Sequence, residues 1–145
     1  MRTNWSLIRE ILLDVKSNGI KRYSTDNDME KLIRLFPELD GTEIYRHTQY
    51  ACGMGFIAVV DFKTDRIDCR FDHVDHIFKN NGQNKMFYKV KNRYVLTELG
   101  INFLGFIYNI DQWHNQKSNL EAEIPSLHNS SALLNAKLAL EIVSR

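Results

Sequence analysis

The stretch EIYRHTQYACGMGFIAVV, Glu43 to Val60, decides how this chain is read. Ile44, His47 or Thr48, Ala51 and Met54 share one side at the 3.6-residue period, while Tyr45, Arg46 and Gln49 fall largely on the other. Two closely spaced glycines, Gly53 and Gly55, then end the helix, and Phe56 to Phe62 is an apolar run of strand type. The counterpart lies downstream. Tyr94 to Leu104, YVLTELGINFL, carries a strand into a helix capped at Thr97. Asp40-Gly41-Thr42 supplies the turn and cap before the upstream helix.

Working outward, Thr3 or Asn4 caps a first helix to about Ser17, with Trp5, Ile8, Leu12 and Val15 on its apolar stripe and Leu7 and Ile11 beside them. Asn18-Gly19 ends it. A second helix starts near Thr25 or Asp26, with Asp28 and Glu30 favoured by the dipole of its first turn. Met29, Leu32, Ile33 and Phe36 form its core stripe, and Pro37 stops it. Beyond the glycines, Lys63-Thr64-Asp65 is a tight turn and Ile67 to Phe71 alternates as a returning strand. Asn80 to Asn84 contains Asn81-Gly82, a hairpin tip between Ile77-Phe78 and a strand from Met86 to Leu96.

Thr97 caps a helix from Glu98 to about Ile110, with Leu99, Phe103, Phe106 and Ile107 at core spacing. Gln112 to Ser126 is polar, contains Pro125 and reads as a linker. A last helix, about Ser130 to Val143, offers Leu133, Ala136, Leu140 and Val143 on one stripe with Leu134 and Leu138 adjacent. It either folds back on the core or pairs with a second copy. This order predicts an α+β chain. Residues 1–110 form a winged helix-turn-helix domain of three helices, a β-hairpin wing and a fourth helix; 111–128 form a polar linker; and 129–145 form a C-terminal helix for packing or dimerisation.

With 145 residues and 43% hydrophobic composition, one domain with a real core is expected. Mean hydropathy is −0.37, and no apolar run approaches the roughly 20 residues of a membrane helix. Glu10 and Asp14 interrupt what would be a signal peptide's apolar region, and Cys52 and Cys69 form no framework. These features predict a cytoplasmic protein with reduced thiols and no membrane partner. Net charge is +1, yet its distribution is uneven. Met1 to Asp75 holds 11 basic and 13 acidic residues, whereas the segment between Asp75 and Glu98 has Lys79, Lys85, Lys89, Lys91 and Arg93 and no acid. Such a local patch suits an anionic partner. It equally serves to keep a sheet edge soluble.

Chemistry-bearing clusters are sparse. Asp72-His73-Val74-Asp75-His76 resembles part of a metallo-β-lactamase signature, but the first histidine of that pattern is missing. His47, His114 and His128 show no supporting spacing, so these residues read as a turn with Asp72 and Asp75 capping a short helix. Cys52 follows His47 at i+5, on a rather different face, and has no orienting acid. Gly53-Met54-Gly55 lies at a helix C-terminus, the wrong end for phosphate capture. The expectation is a non-enzyme without catalytic residues, metal or cofactor.

Trp5 to Leu13, Glu43-Ile44 with His47, Gly55-Phe56-Ile57, and Leu96-Thr97-Glu98-Leu99-Gly100 with Phe103-Leu104 together resemble a family of small bacterial and phage proteins of unknown function. That family opens with a "DLIRxILL"-like helix, has an "AGLI"-like helix exit and ends in "LTxxGxxFL". The resemblance spans roughly residues 5 to 108. It implies a winged helix-turn-helix fold and a phage or prophage setting. The chain departs from the pattern at Met54, at Tyr50-Ala51 and in the longer stretch from Arg70 to Asn84.

Two functions follow as expectations. A small DNA-binding regulator would place Thr42, Tyr45, Arg46 and Gln49 against base edges of double-stranded DNA and Lys79, Lys85, Lys89, Lys91 and Arg93 against phosphates. A two-fold operator would require a homodimer, with the C-terminal helix as its interface. The alternative is a protein-binding module, such as a phage-encoded inhibitor of a bacterial defence complex, in which Asp65, Asp68, Asp72 and Asp75 imitate phosphates for a host protein complex.

Overall fold

A computed structural model describes residues 3–18, 21–22, 32–60, 67–68, 76–80, 86–90, 93–127 and 131–145. The chain is α+β and mostly helical. Helix α1 spans Trp5–Asn18. Asn4 caps it, its Oδ1 accepting from the Leu7 N–H at 3.0 Å. Trp5, Leu7, Ile8, Ile11, Leu12 and Val15 are all buried, as the spacing predicts. Strand β1 (Lys21–Arg22) follows, then α2 at residues 32–35 and α3 (Gly41–Gly53).

Four strands make one antiparallel sheet in the order β1–β6–β2–β3, with β2 at Ile57–Val60, β3 at Ile67–Asp68 and β6 at Arg93–Leu96. Strands β4 (His76–Asn80) and β5 (Met86–Val90) pair as a separate two-stranded antiparallel hairpin. Helices α4 (Glu98–Ile107), α5 (Ile110–Glu123) and α6 (Ala132–Val143) complete the chain.

The two segments that carry the fold in the sequence meet at one junction. Gly55 adopts φ of +80°, a conformation that disfavours residues with a Cβ, and so turns α3 into β2. The Thr97 hydroxyl accepts from the Gly100 N–H and donates to the Gly55 carbonyl. The Thr97 N–H donates to the Phe56 carbonyl at 3.0 Å. Gly100 completes the junction, since a Cβ there would lie 1.9 Å from the Phe56 oxygen. Beneath it the Phe56 ring stacks on Phe103 with centroids 4.5 Å apart, and Trp5 tilts against Phe103 at 6.3 Å. Each such ring, fully buried, contributes roughly 1.5–3 kcal/mol.

Arg9 closes the other end of α4. Its Nε and one terminal nitrogen donate to the Ile107 and Tyr108 carbonyls, both at 2.9 Å, and its guanidinium lies 5.7 Å from the Trp113 ring centroid. A buried cation here satisfies carbonyls that a helix end leaves open and complements the helix dipole.

Four sequence expectations need correction. Gln112 to Ser126 is no linker: α5 occupies most of it, capped by Asn109 and buried through Trp113 and Leu120, with Ile124 and Leu127 following. Two apolar residues seven apart touch the core once every two turns, too narrow a stripe for periodicity to register. The Trp5 indole N–H donates to the Ile124 carbonyl at 3.0 Å, which joins the end of α5 to α1. Helix α4 ends at Ile107 rather than Ile110, and Phe106 is exposed. In α6 the buried stripe is Ala132, Ala136, Ala139, Ile142 and Val143, while Leu133 and Leu134 are 69% and 70% exposed. Small residues let α6 approach the core closely, as the 3.3 Å between a Cβ built at Gly53 and Ala132 Cβ shows. Finally, Met86 to Leu96 is not one strand. It divides into β5 and β6, which belong to different sheets.

Candidate nucleic-acid interface

Helix α3 is built with two opposite sides. Asp40 caps it, accepting from the Glu43 N–H at 2.9 Å. Ile44, His47, Thr48 and Ala51 face inward, as the period predicts, and Cys52 is buried as well. Thr42, Arg46, Gln49 and Gly53, spaced four, three and four residues apart, share the outer strip. Arg46 and Gly53 are exposed and Thr42 and Gln49 half-buried. Tyr45 sits one step round from this strip, half-buried against the core. Burial, with Cys52 and Tyr45 nearby, pushes the Tyr94 phenol far above its ordinary value.

The inner side of α3 is held by His47. Its Nε2 accepts from the Asn4 N–H at 2.9 Å and its Nδ1–H donates to the Glu43 carbonyl at 2.7 Å. Accepting from Asn4 leaves Nε2 unprotonated and so requires the neutral ring, and burial lowers its pKa more than the Glu43 carbonyl raises it. His47 is therefore a structural group joining α3 to the start of α1, with both ring nitrogens engaged by backbone groups. Cys52 itself is a buried thiol. At the N-terminal end of α3, burial and then Asp40 and Glu38 raise the Glu43 pKa, so acids gather there.

Strand β5 runs beside α3. Lys79 lies in β4 opposite Phe87, and Lys89 lies in β5 opposite Ile77, so positions 79 and 89 share one face of the hairpin ladder. Arg93 is in β6, in the other sheet, opposite Arg22 and Val60. The alternation of Lys89, Lys91 and Arg93 with Val90 and Tyr94 in the sequence would put three cations on one face of a single strand, and the change of sheet between 89 and 93 breaks that row. Lys85 and Lys91 lie outside the described residues, as do Asp65, Asp72, Asp75 and Cys69; Asp68 lies in β3.

Sequence reasoning missed β1. It brings Lys21 and Arg22 from the opposite half of the chain to the register positions facing Tyr94 and Arg93. A two-residue strand has no readable period, and its partner lies some seventy residues away. Two basic positions, 22 and 93, thereby become partners across one ladder. Among the described residues no group of three or more His, Cys, Asp or Glu is placed to hold a metal ion, and no helix is long and apolar enough to cross a membrane. Comparison of the chain with family models, curated proteins and solved structures yields no match.

Proposed function

We propose that the chain is a winged helix-turn-helix protein that binds double-stranded DNA as a small regulator, in keeping with a phage or prophage setting. The observation that carries this reading is the outer strip of α3, Thr42, Arg46 and Gln49, with strand β5 alongside. The order of elements supports it. The chain runs through a helix, an edge strand, two helices and then β2 and β6; the three strands pair as β1–β6–β2, with β3 and the β4–β5 hairpin inserted between β2 and β6. In this reading α3 enters the major groove, where Arg46 and Gln49 suit guanine and adenine edges. Positions 79, 89 and 93, joined by 85 and 91, meet phosphates. A palindromic site would call for a dimer, and Leu133 and Leu134 of α6 are exposed for one.

Fluorescence anisotropy of a labelled random duplex tests the reading. Binding at low salt that weakens steeply toward physiological salt is expected, and reversing Lys89 and Lys91 to Glu should lower affinity for every sequence alike. Each cation removed from a phosphate should reduce the salt slope by about 0.9. Absence of binding at low salt overturns it.

The acids at the α3 N-terminus, Glu38, Asp40 and Glu43, favour a second reading, since they would oppose phosphates next to the strip. There the scaffold is a protein-binding inhibitor and captures a host complex. A pull-down that recovers such a complex from a protein without duplex affinity selects this alternative.

A further inference from the structure

A cleft of about 450 Å³ opens between the last turn of α1, strand β6 and the outer face of α4. Val15, Val95, Leu96, Ile101 and Leu104 line it, with Gly105, Lys16 and Tyr108 at its margin. Pockets of roughly 300–1,000 Å³ with apolar walls and few polar groups are the usual form of small-molecule sites. None of the α3 strip belongs to it.

Three features mark it as more than a surface dent. Ile101 and Tyr108 are 57% and 55% exposed on the same side of α4, an apolar face that no described element covers. Gly105 stands between them in the helix interior. There glycine costs roughly 1 kcal/mol relative to alanine, and a Cβ at Gly105 would meet nothing within 4 Å. Packing among the described residues gives no reason for that glycine, whereas its bare backbone keeps the cleft wall open. The third feature is the position of charge. Lys16 is the one charged side chain lining the cleft among the described residues, and its Nζ sits 4.3 Å from the Tyr108 ring centroid. The ammonium is thus held over an aromatic face at the mouth of an apolar space.

We propose that this cleft binds an apolar carboxylate, with the hydrocarbon against Val95, Leu96, Ile101 and Leu104 and the carboxylate on Lys16. Charge complementarity selects the occupant: the apolar walls take any hydrocarbon, and the single cation favours an anionic head over a cationic one. The proposal stands independently of what α3 binds.

Calorimetric titration with decanoate and with decyltrimethylammonium, each below its micellar concentration, tests it on the full chain. Decanoate should bind and the cation should bind at least about tenfold more weakly. Gly105→Leu fills the cleft from a position with open space and should reduce decanoate affinity at least about tenfold while the protein stays folded. Lys16→Glu should lower it about threefold to fivefold and remove the preference for the anion. Ile101→Asp, a change at an exposed wall, gives a second disruption should the leucine variant fail to fold. Absence of decanoate binding, equal binding of both probes, or unaltered binding by folded Gly105→Leu and Ile101→Asp each overturns the proposal. So does a wild-type dimer that Gly105→Leu converts to monomer without any probe bound, since the occupant would then be a second copy.

Discussion

Helices α3 and α4 each have a side fixed by backbone interactions and a side left open, and glycine appears on both sides of α4. Gly100 is in the first turn, where the Phe56 carbonyl occupies the space of a Cβ; Gly105 faces the cleft, where that space is empty. The same residue type is thus a packing requirement at one position and a departure from helix propensity at the other. On α3, His47 is held between Asn4 and the Glu43 carbonyl, while Arg46, one residue earlier, projects from the outer strip. Sequence neighbours at such positions answer to different pressures, so substitution effects should diverge sharply between them.

The largest effect is expected for Gly100→Ala. The added methyl must displace the Phe56 backbone and with it the Thr97 hydrogen bonds, a destabilisation on the order of 3 kcal/mol by denaturant unfolding. Near-normal stability would show that the junction can shift and that the two glycines are equivalent after all.

The fixed side of α3 is tested by pH. In the unfolded chain His47 should titrate near about 6.5, and in the folded state its pKa is lower. The unfolded state therefore binds more protons between these values, and stability rises with pH there. This contribution is complete above about 6.5 and is lost as pH falls through the folded value. Thermal unfolding of the wild type should show this acid-side decline, and His47→Gln should flatten it. An unchanged profile would remove His47 from the fixed side.

Gly105→Ala should instead raise stability by about 1 kcal/mol, because the methyl enters open space and the helix gains propensity. A decrease at this site would mean that the open side is closed in solution. Smallest is Arg46→Ala, expected within about 0.5 kcal/mol of wild type. If the α3 strip reads bases, the same substitution alters sequence preference in duplex selection while leaving the unfolding curve in place.

Much of this division was legible in the residues. Helix α1 and the inner side of α3 follow from Trp5, Ile8, Leu12 and Val15 and from Ile44, Thr48 and Ala51, because a wide apolar stripe repeats over three turns. The outer strip follows from the same period, with Tyr45 displaced from it by its packing on the core. The Thr97 cap was legible too, but the need for glycine at 100 was not, since it depends on a carbonyl more than forty residues away. Helix α5 escaped because Trp113 and Leu120 alone anchor its middle. Leu133 and Leu134 of α6 misled because apolarity was weighed without distance, and the small Ala132 sits where α6 approaches the end of α3, while Leu138 and Leu140 do pack against the core. The cations of the hairpin misled for a related reason: alternation continues from Lys89 to Arg93, and nothing in it reports that the chain changes sheets between them.

Val60 and Arg93 are register partners at the end of the β2–β6 ladder, so the stretch between them, which holds β3 and the β4–β5 hairpin, begins and ends at facing positions. The stretch is geometrically a cassette. A short Asn-Gly turn could join the same two strands with the register intact, and closing so long a loop contributes an entropy that grows only slowly with its length. Lineages carrying this scaffold could therefore lengthen, shorten or exchange the segment, and with it the choice of partner, without rebuilding the helical core beneath.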